Sequence, residues 1–213
     1  MTILAVASEE HEFAGLLRRG EEVARMAWPV ACAYSMGLNG NRWLLAADGS
    51  GPSLAARAST SAAVNADMIL SIGLCGALDP ELNVNDIVGD HPLCPHFGAI
   101  HSVDRFIHTA AAKRVLRAET GALAVDMESS AIKAHAAAAV KPFFAIRAVS
   151  DTAREDFRLD FNAYRDSEGR FSRPRLVLGA LRHPRAIPDL IRLGHRSKTA
   201  SEALGEFLAN CRF

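Results

Sequence analysis

The sequence predicts an α/β fold, a central mixed sheet held between helices in a three-layer αβα arrangement. Two observations carry this prediction. Short apolar runs of strand length recur along the first 150 residues, and segments with helical spacing alternate with them. Several of these runs also end in glycine or in an acid, as strands do when they hand over to a loop at the edge of a layered sheet.

TILAVAS (2–8) is a short buried strand by its apolar run. HEFAGLLRR (11–19) has helical spacing and a basic end that suits the helix dipole. Trp28 to Tyr34 and Arg42 to Ala47 are two further strands, and Asp48-Gly-Ser-Gly-Pro52 is a glycine-rich turn. Ser53 to Asn65 is an alanine-rich helix; Met68 to Ile72 is a strand that runs into Gly73-Leu-Cys-Gly-Ala77. Asp86 to Val88 continues into sheet, and His91 to His96 is a loop with two prolines. Thr109 to Glu119 is a helix, Leu123 to Met127 a strand, Ser129 to Val140 a helix and Phe143 to Val149 a strand. Arg154 to Arg173 is polar and irregular, and Pro174 to Asn210 forms two or three helices broken near Pro184 and Pro188. The division expected is an α/β domain over 1–170 with a basic helical extension, 171–213, packed on the same domain.

The composition narrows the class. The chain of 213 residues is 49% hydrophobic and 23% charged, enough for one substantial core. Zero net charge gives no global nucleic-acid signature. No run of about 18 apolar residues predicts a membrane span. The opening MTILAVASEEHEF lacks a basic n-region and reads as a strand and its loop, not a signal peptide. Cys32, Cys75, Cys94 and Cys211 are scattered without a CxxC, which points to reduced thiols and a cytoplasmic setting. Charge is nonetheless uneven, since between Arg170 and Lys198 Asp189 is the only acid among many arginines.

Four strand ends carry the chemistry-bearing residues: Ser8 to Glu12, Asp48 to Gly51, Asp126 to Glu128, and Ser150-Asp151. Parallel strands would gather three of these acidic ends at one cleft, and like charges there push at least one carboxyl upward. Such a group can act as a general acid. Plainer roles compete. Glu128 and Asp151 have the position of helix caps, the Glu9–Glu12 acids suit a solvated helix start, Met127 suits core filling, and Gly49 and Gly51 suit a tight turn. His91-x-x-Cys94-x-His96 fits no common zinc spacing and lacks a fourth ligand, so no metal is expected.

The combination resembles a known family. GALAVDMESSAIKAHAAAAVKPFFAIRAVSDTA (121–153) is similar to the signature of the purine nucleoside phosphorylase and methylthioadenosine/adenosylhomocysteine nucleosidase superfamily, in which one strand ends in D/E-M-E and the next in R-x-x-S-D. ILAVASEEHEF (3–13), DGSG (48–51), SIGLCGALDPELNVNDIV (71–88) and HSVDRFI (101–107) extend the resemblance in the same order. It implies a nucleoside phosphorylase-like fold and an enzyme that cleaves the N-glycosidic bond of a purine nucleoside, with no cofactor beyond phosphate as a co-substrate. It implies that Asp151 donates to purine N7 with Ser150 orienting it, that Glu128 accepts hydrogen bonds from the ribose hydroxyls, and that Met127 packs under the sugar. Phe106 takes the place of the ring that stacks on the base. Gly49, Gly51, Cys75 and Gly76 complete the substrate contacts. A homodimer is implied as well.

Whether water or phosphate attacks stays open in the sequence. Glu12 matches the glutamate that nucleosidases use to activate water, and the acidic Ser8–Glu12 stretch would repel phosphate. Leu74 stands where the family often places a hydroxyl. Gly49 and Gly51 amides, or Arg57 or Arg147 turned inward, would favour phosphate. A nucleoside-binding module without turnover is the alternative from another class.

Residues 102–129 and 169–204 resemble more narrowly the hopanoid-associated phosphorylase branch, which implies adenosylhopane as substrate. The stretch between Val88 and Gly98 is short for the family and would leave the 5′ side of the pocket open to a bulky substituent. LVLGAL (176–181) and IPDLIRLG (187–194), interleaved with arginines, fit a peripheral membrane contact, while a basic face solvated or paired with the acidic body is the plainer reading.

Overall fold

The computed structural model describes residues 1–60, 65–166 and 172–213. The expected boundary at 170/171 and Arg170 lie outside the described residues, as do positions 61–64 of the expected 53–65 helix.

The strands are β1 (Thr2–Ala7), β2 (Glu21–Arg25), β3 (Cys32–Leu38), β4 (Asn41–Ala47), β5 (Met68–Ala77), β6 (Ile87–Gly89), β7 (His96–Phe97), β8 (Ile100–Ser102), β9 (Ala124–Asp126) and β10 (Phe143–Asp151). They form one mixed sheet in the order β2-β3-β4-β1-β5-β10-β6-β7, with β9 pairing β5 and β8. The centre, β4-β1-β5-β10, is parallel, so the carboxyl ends of β1, β5 and β10 emerge along the same edge. The helices are α1 (Ala14–Leu17), α2 (Pro52–Thr60), α3 (Ala110–Thr120), α4 (Ser129–Ala138), α5 (Arg173–Arg182) and α6 (Ile187–Asn210).

Strand periodicity of two explains the layers. Ile3, Ala5 and Ala7 of β1 face a core completed by Leu16 of α1 and by Ala200, Leu204 and Leu208 of α6. Leu4 and Val6 face the other side, where Ala55 and Ala58 of α2 and Ile132 and Ala136 of α4 close the second core. The predicted three-layer α/β fold is therefore present. The C-terminal half of α6 is part of the principal core.

Several boundaries differ from the sequence reading, for identifiable reasons. β3 starts at Cys32 instead of Trp28, because Pro29 has no N–H for a ladder and Val30 N–H turns back to the Trp28 carbonyl at 2.8 Å. β2 was not expected, since all five of its residues are exposed on an edge strand and show no apolar alternation. β5 runs on through Gly73-Leu-Cys-Gly-Ala77 and stays paired with β10. The 11–19 helix is a 3₁₀ turn, Glu10–Phe13, followed by the short α1. α3 has the local chemistry expected of it: the Thr109 hydroxyl accepts the Ala112 N–H at 3.2 Å, and Gly121 closes it in the left-handed region at φ +68°.

Candidate active site

At the carboxyl edge of the parallel strands lies a cleft of about 200 Å³, lined by residues that include Glu12, Gly76, Phe106, Glu128 and Asp151. Its first wall is the turn after β1. Glu9 and Glu12 form a reciprocal capping box, which tightens that turn and points the Glu12 carboxylate inward. Glu12 is buried; its Oε2 accepts the N–H groups of Ser8 (2.7 Å) and Glu9 (3.1 Å), and its Oε1 accepts that of Leu74 (2.9 Å).

The second wall is β9 and the start of α4. Arg147 of β10 is fully buried. Its Nε and Nη2 donate to Oδ2 of Asp126 (2.9 and 2.6 Å), Nη2 donates to Ser71 Oγ (2.8 Å) and Nη1 to the Ile72 carbonyl. Asp126 also accepts the Ser129 N–H (3.1 Å) and the Ser102 hydroxyl (2.6 Å). The capping of α4 thus falls to Asp126. Glu128 holds the N-cap position without a side-chain cap bond, and its carboxylate is released toward the cleft. Glu128 Oε1 accepts the Gly51 N–H (2.9 Å) and its Oε2 lies 3.7 Å from Arg147 Nη2. Burial raises the Glu128 carboxyl to about 7; Arg147 opposes the rise, and Asp126 and Glu12 add to it. The crowded acid expected from the strand ends is therefore Glu128.

The third wall is the end of β10, where the register with β5 shifts between Val149 and Asp151. Asp151 is buried; the Ser150 hydroxyl lies 2.8 Å from its Oδ1, and Lys113 Nζ of α3 pairs with its Oδ2. Lys113 is completely buried and also donates to the Thr152 carbonyl at 2.7 Å. Sequence reading missed it, because a single lysine in AAAKRVLRAET carries no mark of burial. A side chain at Gly76 would come within 3.0 Å of Asp151 Oδ2, so glycine there leaves room for the acid. Cys75 lines the cleft as a neutral thiol, pushed well up by burial.

Phe106 closes the cleft from above. Its ring packs edge-on against Phe157 (5.5 Å) and Phe161 (5.0 Å), and its backbone N–H and carbonyl bond the Asn162 amide at 2.8 and 3.0 Å. Met127 and Ser150 also line the space. Gly49 and Gly51 do not: the Gly49 N–H bonds the Ser8 carbonyl (2.8 Å) and the Gly51 N–H serves Glu128, so these glycines shape the loop. Of the two arginines weighed for phosphate, Arg147 is turned inward but is engaged throughout, and Arg57 pairs with Asp48. Among the described residues no group of three His, Cys, Asp or Glu is placed to hold a metal ion. His91 instead packs on Phe144 (4.5 Å) and Phe213 (5.2 Å).

Phe106, Leu193 and Ser197 also border a second cavity of about 590 Å³, which opens beside the first. Its walls are largely apolar, with Ala14, Phe161, Leu176 and Leu190 among them. No helix among the described residues is long and apolar enough to cross a membrane. Part of the basic tail pairs with acids: Arg192 reaches Asp189 at 3.1 Å, Arg196 pairs with Glu155, and Asp189 is also met by Arg158 of the preceding segment at 3.1 Å.

Known proteins share parts of this sequence and its fold. Residues 90–173 match the family described as Phosphorylase superfamily. A segment of 69 residues is 35% identical to a 5′-methylthioadenosine/S-adenosylhomocysteine nucleosidase of Mycobacterium bovis; it covers 32% of this chain and 27% of that relative. The solved 5′-methylthioadenosine/S-adenosylhomocysteine nucleosidase of Neisseria meningitidis, in complex with methylthio-immucillin-A, superposes over 98% of this chain and 96% of its own, with a TM-score of 0.73 at 23% identity. Futalosine hydrolase of Helicobacter pylori aligns over 98% of this chain and 95% of its own, with a TM-score of 0.71 at 17% identity. The resemblance to the nucleoside phosphorylase and nucleosidase superfamily holds, and the fold is theirs.

Proposed function

We propose that this protein is an enzyme that hydrolyses the N-glycosidic bond of a purine nucleoside, with adenine as the base. One observation carries the choice of water over phosphate. The Glu12 carboxylate takes the N–H groups of Ser8, Glu9 and Leu74, donors that a phosphate dianion would need, and brings a negative charge to the same place. Arg147 is held by Asp126, Ser71 and Ile72 and has no face to offer an anion.

In this reading Asp151 delivers a proton to purine N7 as the bond breaks, which relieves the charge on the leaving base. Glu128 receives the ribose hydroxyls, Met127 packs under the sugar, and the Phe106 ring covers the base. Glu12 takes a proton from the attacking water, and the surrounding carboxylates favour the oxocarbenium-like sugar.

The 590 Å³ apolar cavity supports a long apolar 5′ substituent, as adenosylhopane would carry. Leu178, Leu181, Ile187 and Ile191 are exposed close in sequence to Arg175, Arg182, Arg185 and Arg192, which supports contact of α5 and the start of α6 with an anionic membrane surface. Absence of co-pelleting with anionic vesicles at low salt would remove that contact. The superfamily resemblance also supports a homodimer in the cytoplasm.

The deciding experiment is adenine release from adenosine, methylthioadenosine and a long-chain 5′-alkyl adenosine, each with and without phosphate. Release without phosphate, fastest for the alkyl substrate, is expected. Release only with phosphate would make the protein a phosphorylase, and binding without release would make it a nucleoside-binding module.

A further inference from the structure

Both carboxylate oxygens of Asp151 are engaged. Its Oδ1 faces the Ser150 hydroxyl at 2.8 Å, and its Oδ2 faces the Lys113 ammonium in a contact closed to water, both residues being buried. An ammonium group within hydrogen-bond reach of a carboxyl oxygen is placed to hand it a proton. A buried lysine is expensive to keep charged, and here the ammonium is used on Asp151 and the Thr152 carbonyl at the cleft, not on holding α3 in place. α3 is already anchored by Thr109, by the Asp156 carboxylate on the Ala110 N–H (2.7 Å) and by Arg117 on Asp79 (2.7 Å).

We infer that Lys113 is the proton reservoir for base departure, and that Asp151 relays its proton to the purine. The inference rests on the N-glycosidase reading above. As the C1′–N9 bond breaks, its electron pair goes to the purine. Lys113 Nζ passes one proton to the Asp151 carboxylate, which hands that same proton on to N7. The products of the step are a neutral purine, an ionised Asp151 and a neutral amine. Water adds to C1′ and gives its proton to Glu12; exchange with solvent when the cleft empties returns a proton to Lys113. Lys113 acts through Asp151 and is a positioning residue.

The groups facing this pair are few. Cys75 on β5 is held as a neutral thiol. Glu155 bonds the Thr152 N–H (2.8 Å) and Arg196, and Asp156 caps α3. The cleft's other charged groups, Glu12, Glu128, Asp126 and Arg147, are present in every variant, and Lys113→Arg keeps the positive charge beside them as the electrostatic control.

The test is kcat for adenine release against pH in wild type, Lys113→Met and Lys113→Arg, with melting curves to establish folding. In Lys113→Met, Asp151 must carry the proton itself. Turnover is expected to fall less than about tenfold at pH 6 but about 100-fold or more at pH 9. Lys113→Arg keeps the charge but surrenders no proton, and its loss should be the same at both pH values. A Met/wild-type ratio that does not change with pH, or an arginine variant as active as wild type, would overturn the relay. If both variants fail to fold, Lys113→Gln is read in the same way: a variant-to-wild-type ratio that falls between pH 6 and pH 9 supports the relay, and a constant ratio overturns it. Absence of base release by wild type would instead overturn the N-glycosidase reading itself.

Discussion

Oε1 of Glu12 accepts the backbone N–H of Leu74 at 2.9 Å, which ties the turn after β1 to the middle of β5. The bond fixes the carboxylate from two sides of the cleft, because Oε2 is held by Ser8 and Glu9. It also depends on Gly73, whose φ of +135° and missing side chain allow the approach: a Cβ there would lie 2.7 Å from Arg147 Nη1 and 2.8 Å from Glu12 Oε1.

Glu12→Gln tests this carboxylate. The amide removes the proposed base and places an N–H₂ group against at least one backbone N–H. Turnover should fall by about 10²–10⁴-fold, and stability by about 1–3 kcal/mol for the unmatched buried donor. Adenine binding, read by calorimetry, should change little, because the proposed reading seats the base against Asp151 and Phe106. A variant that keeps half of its activity would remove Glu12 from the chemistry.

Glu128 gives a stability signature. Its carboxyl is raised from the usual 4.5 to about 7, so the folded state holds a proton that the unfolded chain releases between these values. The folded state therefore binds more protons in that window, and stability must fall as pH rises from about 4.5 to about 7. Glu128→Gln cannot titrate and removes this slope. Relative to the variant, the wild type should lose stability by about 3 kcal/mol across the window, measured by urea unfolding at successive pH values. Parallel curves would mean that Arg147 keeps Glu128 ionised throughout.

Much of this site is written in strand ends. The apolar runs of β1, β5 and β10 fix which residues emerge at the carboxyl edge, and from there Glu12, Glu128 and Asp151 follow by position. The division of labour among them is not local. That Asp126 caps α4 and frees Glu128 depends on Arg147, 21 residues away, and on Ser102, 24 residues away. That the Gly49 and Gly51 amides are taken up within the protein depends on Ser8 and Glu128. Lys113 was illegible because its helix looks like any surface helix, and only the fold places that position over the end of β10. β2 was missed for the opposite reason: an exposed edge strand has no buried face to imprint a pattern.

The docking of α6 on α1 relies on two glycines. A Cβ on Gly15 would collide with the Ser201 carbonyl, and one on Gly205 with the backbone of Gly15. Gly205→Ala must push the helices apart, at a cost of about 1–3 kcal/mol. Leu193 and Ser197, two turns or more earlier on α6, line both cavities and would shift with it. The variant should therefore lose melting temperature and raise KM for a long-chain substrate together. Loss of stability with unchanged KM would show that the N-terminal part of α6 is positioned independently of this contact.

The apolar cavity makes the most specific prediction about substrate. Each methylene moved from water into an apolar wall contributes about 0.8 kcal/mol, roughly a fourfold gain in kcat/KM. Across a series of 5′-alkylthio adenosines, kcat/KM should climb with chain length and then level off where the 590 Å³ space is filled. Leu190 borders this cavity and not the catalytic cleft, so Leu190→Trp should shorten the space while Glu12, Glu128 and Asp151 stay in place. The plateau should then arrive at a shorter chain, and methylthioadenosine should be cleaved at close to the wild-type rate. A wild-type profile that is flat or falls with chain length would show that the cavity does not receive the 5′ group, and the preference for a long apolar substituent would be lost with it.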